Sequence, residues 1–228
     1  MSNEIVIFDF CETLVDFQTA DAFVDFARAN LNRPSMCRRE KMYLLLKTTG
    51  FIKFMTLLTR RKYSIGKRIK LWQLKGVEAD VLETIAKRFY INVIRPHLIN
   101  ETIEELKKYD SRGCDIWLIS GAYQVYLKYF VKEFNVKQLL SSDIQIKNNK
   151  CTGRMEGIDC MRKHKVELLY KTLGSRINSV RIVASYSDSI SDLPILKVGK
   201  ISYVVGARHK EWAVKNGFEE IIWKKPNC

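Results

Sequence analysis

The chain opens on a short apolar run, Ile5-Val6-Ile7, closed by the polar end of Asp9, so residues 4–9 read as a buried strand. A turn over 10–19 follows. Thr19-Ala20-Asp21 then starts a helix through Phe23, Phe26 and Ala27, which the stretch from Asn30 to Pro34 breaks. From 35 to 95 no run alternates with period two, and the whole stretch reads as helical. Its segment 42–58 sets Leu44, Phe51, Met55 and Leu58 on one face, with Lys53, Thr56 and, just past its end, Arg60 on the other. Leu44 and Phe51 are expected to pack on neighbouring helices. Further helices are expected over 65–74, ending near Gly76, and over 79–93, where Val81, Ile85, Phe89 and Val93 share a face and Pro96 is the stop.

After Pro96 the pattern changes. Helices are expected over 99–109, 125–134, 163–173, 189–196 and 210–216. Strands are expected over 114–119, 137–140, 180–184, 201–205 and 221–223, with hairpin arms 144–146 and 151–153 around Asn148-Asn149. Strands and helices thus alternate on both sides of an all-helical stretch. That order predicts an α/β fold: a Rossmann-like, mainly parallel sheet core with an all-helical cap inserted after the first strand. The expected division is 1–15 and 96–228 for the core and 16–95 for the cap.

Composition sharpens this picture in two places. With 228 residues, 46% of them hydrophobic, the chain can bury a sizeable core. The 42–58 segment is short for a membrane span and is interrupted by Lys47 and Lys53. No basic n-region or apolar h-region opens the chain, so no secretory leader is expected. Six cysteines without a C-x-x-C pair argue against a zinc site or a disulfide framework and for reduced thiols in a cytoplasmic protein. The net charge of +14 is concentrated: residues 28–75 hold 14 Lys and Arg against one acid, Glu40, and the rest of the chain holds 25 basic against 24 acidic residues. The cap therefore carries nearly all the excess, a field that attracts anionic partners.

Candidate chemistry gathers at the expected strand ends. Asp9, Ser120, Asp188 and Asp192 fall there, with Lys165 opening a helix upstream of the acidic pair and Thr13 within reach of Asp9. In a parallel sheet these ends meet on one edge. Three carboxylates together would repel one another, and a divalent cation would relieve that. Oxygen ligands favour Mg²⁺, which takes one or two carboxylates, waters and a substrate phosphate. The set suits phosphoryl transfer: an Asp nucleophile can form an aspartyl-phosphate, while Lys165, the Ser120 hydroxyl and the metal offset the charge on the transferring group.

These residues carry a resemblance. The chain resembles the haloacid dehalogenase superfamily of phosphohydrolases, and within it the phosphoserine-phosphatase-like branch with a helical cap after the first strand. Asp9-Phe10-Cys11-Glu12-Thr13 is similar to that family's D-x-D-x-T motif, and Leu118-Ile119-Ser120-Gly121-Ala122 to its strand ending in Ser or Thr. Lys165 stands for its lysine, and Ser187-Asp188-Ser189-Ile190-Ser191-Asp192 for its G-D-S-x-x-D. The resemblance implies Asp9 as nucleophile, and Asp9, Asp188 and the backbone carbonyl of Cys11 as Mg²⁺ ligands. It implies Thr13, Ser120, Gly121 and Lys165 as phosphate ligands, with Asp192 supporting the metal or orienting Lys165.

One position departs from the pattern. The family's second motif Asp, which protonates the leaving group and then activates water, is Cys11 here. A thiol titrates near 8.5 rather than near 3.9, and loss of general acid–base help costs on the order of 10²–10⁴ in rate. Three readings stay open: a substrate with a good leaving group, a replacement acid such as Glu12 or Asp16, or a catalytically weakened protein that binds a phosphorylated ligand or an anionic membrane. Gln18 stands where phosphoserine phosphatases place an acidic residue for the substrate ammonium, which argues against phosphoserine. The expected partner is a phosphorylated small molecule or a lipid headgroup, with peripheral membrane contact through the basic cap. No nucleic-acid module is recognisable, although Tyr63, Trp72 and Phe51 interleave with the basic residues.

Overall fold

The structure, a computed structural model, describes residues 3–59 and 64–224. Seven strands form one sheet in the order β4-β3-β2-β1-β5-β6-β7. They are β1 (Glu4–Phe8), β2 (Asp115–Tyr123), β3 (Gln138–Lys147), β4 (Lys150–Glu156), β5 (Arg181–Ser187), β6 (Ile201–Gly206) and β7 (Glu219–Ile222). All neighbours pair in parallel except β3 and β4. This is the Rossmann-like α/β sheet that the alternation of elements predicts.

β1 is central, and its unbroken apolar run follows from burial on both faces. Ile5 and Ile7 join Trp117, Ile119, Leu169, Leu173 and Ile195 on one side of the sheet. Val6 and Phe8 join Leu118, Tyr186 and Tyr126 on the other. Phe8 stacks on Tyr186 at 4.3 Å. The chain leaves β1 for β2 on one side and later enters β5 on the other. That reversal opens a crevice at the carboxyl ends of β1, β2 and β5, where sheets of this kind bind ligands.

Between β1 and β2 the chain forms α1 (Thr19–Leu31), α2 (Pro34–Thr48), α3 (Phe51–Leu58), α4 (Ile65–Leu71), α5 (Ala79–Phe89) and α6 (Asn100–Ser111). A 3₁₀ turn (Trp72–Leu74) extends α4, and a π turn (Tyr90–Ile94) extends α5. Phe23, Leu71, Leu74 and Phe89 of this insert share one hydrophobic cluster with Phe10, Tyr126 and Phe130. The remaining helices are α7 (Gln124–Glu133), α8 (Lys163–Leu173), α9 (Leu193–Leu196) and α10 (Glu211–Lys215). No helix among the described residues is long and apolar enough to cross a membrane.

Several expectations need correction. The helix expected across 42–58 is two helices, because Gly50 takes a left-handed φ of 75° between α2 and α3. Leu44 and Phe51, expected to pack on neighbouring helices, are exposed. The separate strands 137–140 and 144–146 are one strand, β3, which pairs first with β2 and then with β4 across the polar stretch Ser141-Ser142-Asp143. The helix 189–196 is a 3₁₀ turn (Ile190–Asp192) followed by α9, which restarts at Leu193-Pro194. Arg60-Arg61-Lys62 and Tyr63 lie outside the described residues.

Candidate active site

Asp9 is the first residue past β1, and its backbone N–H donates to the Tyr186 carbonyl at 2.9 Å, which ties this position to β5. A turn then folds back: the N–H groups of Thr13, Leu14 and Val15 all point to the Phe10 carbonyl at 2.8–3.3 Å, and Glu12 takes a positive φ of 54°. A cavity of about 190 Å³ opens here, lined by Asp9, Cys11, Glu12, Gln18, Ser120, Gly121, Lys165, Asp188 and Asp192 together with Lys67 and Met161.

Lys165 organises the buried charge. It projects from the first turn of α8, and its Nζ lies 2.5 Å from Asp192 Oδ2 and 3.0 Å from Asp9 Oδ1. Ser187 Oγ donates to the same Asp192 oxygen at 2.8 Å. Burial alone would lower the Lys165 ammonium, but Asp9 and Asp192 outweigh it and hold it above its ordinary value. Burial raises the Asp9 carboxyl, with the Lys165 charge opposing and the Asp192 charge adding to the rise. Although Asp9 Oδ1 pairs with the ammonium, it is outside hydrogen-bond geometry and is a buried oxygen without a hydrogen-bond partner.

Asp188 follows β5 on the same edge. Its carboxyl is pushed up to about 7, by burial first and by the Asp9 charge second. Lys210 donates to the Asp188 carbonyl, and to the Val205 carbonyl at 2.8 Å, so it braces this loop. Two mutually repelling carboxylates, Asp9 and Asp188, one of them with an oxygen that lacks a hydrogen-bond partner, make an oxygen donor set of the kind Mg²⁺ takes with waters and a substrate phosphate. Among the described residues no cluster of three His, Cys, Asp or Glu side chains could cage a metal without such further ligands.

Cys11 lines the cavity, but its thiol is engaged elsewhere. Sγ lies 3.1 Å from Thr19 Oγ1 and accepts from the Thr19 N–H at 3.5 Å. Thr19 Oγ1 is 2.9 Å from Tyr126 Oη, which accepts the Tyr123 N–H at 3.0 Å. Burial, and then the Asp9 charge, push the thiol up to about 12, so it is neutral and offers no thiolate to a metal or a phosphorus. Of Cys11, only the backbone carbonyl would be available to a cation in the cavity.

The other expected residues divide. Ser120 lies inside β2 rather than at its end, because β2 continues pairing through Tyr123↔Ser142. Its hydroxyl accepts the Ala122 N–H at 3.3 Å, which leaves its proton for an anion in the cavity. Gly121 lines the cavity, and a Cβ there would come within 2.7 Å of Met161 Cγ. Thr13 is not brought to the cavity: the turn tucks it fully inside, its hydroxyl has no partner, and its carbonyl accepts Thr102 Oγ1 at 2.7 Å. Of the two replacement acids, Glu12 lines the cavity and accepts from Gln18 Nε2 at 2.7 Å, whereas Asp16 turns to His97 at 3.0 Å.

Lys67, from α4, is the residue that sequence reasoning missed. Its Nζ contacts the Gly121 carbonyl at 2.5 Å, Asp159 Oδ1 at 2.6 Å and Ser142 Oγ at 3.2 Å, and lies over the Tyr123 ring at 5.1 Å. It brings a cation from the helical insert into the wall of the cavity. In the sequence it is one basic residue among many, and nothing in its neighbourhood marks it.

The family model for haloacid dehalogenase-like hydrolase matches residues 6–197. A phosphoserine phosphatase of Methanocaldococcus jannaschii is 23% identical over 195 residues, covering 86% of this chain and 82% of that protein. A protein with unknown function from Bordetella pertussis Tohama I superposes with a TM-score of 0.79 at 20% identity, covering 97% of this chain and 99% of the other. A substrate-bound phosphoserine phosphatase complex superposes with a TM-score of 0.64 at 17% identity, covering 97% and 93%.

Proposed function

This chain belongs to the haloacid dehalogenase-like hydrolase family, and on that premise we propose that it hydrolyses phosphomonoesters through an aspartyl-phosphate on Asp9. The observation that carries the reading is the triad Asp9–Lys165–Asp192, at 3.0 and 2.5 Å, buried in the wall of a cavity at the carboxyl end of β1. An Asp9 oxygen attacks phosphorus, and the bond to the leaving oxygen breaks as the Asp9–phosphorus link forms. The leaving oxygen departs with the bonding electrons and takes a proton from solvent. Water then attacks phosphorus and gives up a proton to solvent as the Asp9–phosphorus bond breaks, releasing inorganic phosphate and restoring the Asp9 carboxylate.

Lys165 offsets the charge of the phosphoryl oxygens, and Asp192 with Ser187 holds it against Asp9. The Ser120 hydroxyl donates to a second phosphoryl oxygen. Asp9, Asp188 and the Cys11 carbonyl would hold Mg²⁺, which supplies Lewis-acid neutralisation of phosphate charge when bound. The helical insert acts as the cap that sets substrate choice, with Lys67 as its contribution to the wall.

The neutral Cys11 thiol narrows the substrate. An ester whose leaving group needs little proton help fits best; a phosphate carried on a lipid or a sugar, an alkyl ester, fits where Glu12, which lines the cavity, protonates the leaving oxygen. Gln18, hydrogen-bonded to Glu12, speaks against an amino-acid phosphate whose ammonium needs a free carboxylate. A second reading, binding of a phosphorylated ligand with little turnover, is favoured by the same engaged thiol. A panel of phosphate esters assayed with Mg²⁺ beside Asp9→Asn tests both. Turnover abolished by the substitution supports the phosphatase. Binding of phosphate without turnover supports the second reading, and turnover that survives the substitution contradicts both.

A further inference from the structure

The α2–α3 arm turns its apolar side chains outward. In α3 the partly buried positions are Ile52, Met55 and Thr56, and a Cβ on Gly66 of α4 would meet Ile52 Cγ2 at 3.6 Å. The opposite face holds Phe54 at 61%, Leu57 at 75% and Leu58 at 65% exposure, with Phe51 beside them, and no residue of α3 is buried. α2 adds Leu45 at 62% exposure and Met42. A cluster of exposed large apolar residues of this kind marks an interaction surface.

The charge around it selects the partner. Residues 41–77 hold ten Lys and Arg and no Asp or Glu. Inside the insert some basic groups are neutralised: Lys70 is buried against Asp25 at 2.6 Å, and Lys67 against Asp159. Lys41, Lys47 and Lys53 are exposed on the arm itself, among the apolar side chains. A second copy of this chain would bring two strongly basic arms together, which like-charge repulsion opposes. Aliphatic and Phe side chains interleaved with lysines match the acyl boundary and the acidic headgroups of a bilayer.

We infer that the α2–α3 arm is a docking surface for an anionic lipid bilayer. Phe54, Leu57, Leu58 and Leu45 enter the headgroup–acyl boundary, while Lys41, Lys47 and Lys53 meet the lipid phosphates. The arm is one helix from the cavity, since α3 rests on α4 and α4 supplies Lys67. Docking does not depend on chemistry at Asp9, so it is measured without turnover.

The full chain is floated with phosphatidylcholine vesicles, with and without phosphatidylglycerol, at physiological salt. The arm predicts at least about tenfold stronger partitioning onto the anionic vesicles. Phe54→Glu with Leu57→Glu removes at least about tenfold of that binding, with thermal unfolding and hydrolysis of a soluble phosphate ester unchanged. Lys41→Gln with Lys53→Gln weakens binding to the anionic vesicles alone. Equal partitioning onto both vesicles overturns the proposal, as does wild-type binding by the Glu variant. A dimer in light scattering that the Glu variant converts to monomer also overturns it, by assigning the face to a second copy.

Discussion

Cys11 Sγ lies 3.1 Å from Thr19 Oγ1, so the side chain where the family's acid belongs is turned onto the start of the helical insert. The site holds Asp9 and Lys165 3.0 Å apart but has no carboxyl at that point. A carboxyl placed there would find two donors already in position, the Thr19 hydroxyl and the Thr19 N–H. It would also share the burial and the Asp9 charge that raise the thiol, which suits a general acid. Cys11→Asp is therefore expected to raise kcat on alkyl phosphate esters by about 10²-fold or more, measured beside an aryl ester whose better leaving group gains less. A lower kcat would make the thiol itself catalytic.

The Cys11–Thr19–Tyr126 chain ties the turn after β1 to α1 and α7 through buried polar atoms. Thr19→Val keeps the shape and removes the central hydroxyl, at an expected cost of about 1–3 kcal/mol in urea unfolding. Tyr126→Phe costs a similar amount because the Tyr123 N–H loses its acceptor. The double variant is expected to cost less than the sum, since both changes break one shared contact.

Stability should fall in alkali through the same thiol. Cys11 titrates near 8.5 in the unfolded chain and is pushed up to about 12 by burial and Asp9 in the folded one. Below the unfolded value both states hold the proton and nothing changes. Between the two values the unfolded chain releases it and the folded chain does not, so stability decreases as pH rises. Cys160, pushed up to about 12 by burial first, adds to the same slope. Urea midpoints at pH 8 and pH 10 check the sign, and Cys11→Ser should flatten the decline.

Lys67 neutralises Asp159 at 2.6 Å in a nearly dry contact. Burial alone would raise the Asp159 carboxyl, but Lys67 and Ser142 hold it below the usual range. Its contribution is therefore present above the unfolded value near 3.9 and is lost only in stronger acid. Lys67→Met strands the carboxylate, with an expected loss of about 3 kcal/mol at pH 7. Because the stranded group prefers its proton, that loss should shrink toward pH 5. Urea unfolding at both values tests this, and an equal loss at both would remove the charge argument.

The strands were legible where burial wrote an unbroken apolar run, as at Ile5-Val6-Ile7, and the edge chemistry followed from their ends. Asp9, Ser120, Lys165, Asp188 and Asp192 do meet at one cavity. What periodicity could not convey was backbone geometry and long-range pairing. Gly50 breaks a helix that the side-chain pattern continues, and it leaves on the surface the apolar face assigned to packing. The polar stretch at Ser141-Ser142-Asp143 hid the continuity of β3, whose hydroxyl at Ser142 is spent on Asp159 at 2.6 Å. Thr13 matched a motif but is held inside by the fold-back onto the Phe10 carbonyl. Thr19 and Tyr126, 107 residues apart, have no common signal in the chain.

Chemical trapping of the covalent enzyme tests the central claim most directly. The enzyme is mixed with an aryl phosphate and Mg²⁺, quenched in acid within one turnover and treated with borohydride, which reduces an acyl phosphate to an alcohol. Peptide mass spectrometry should then show Asp9 converted to homoserine, with no such product in Asp9→Asn. Hydrolysis that proceeds with Asp9 unmodified, or with phosphate recovered on Cys11, would contradict it.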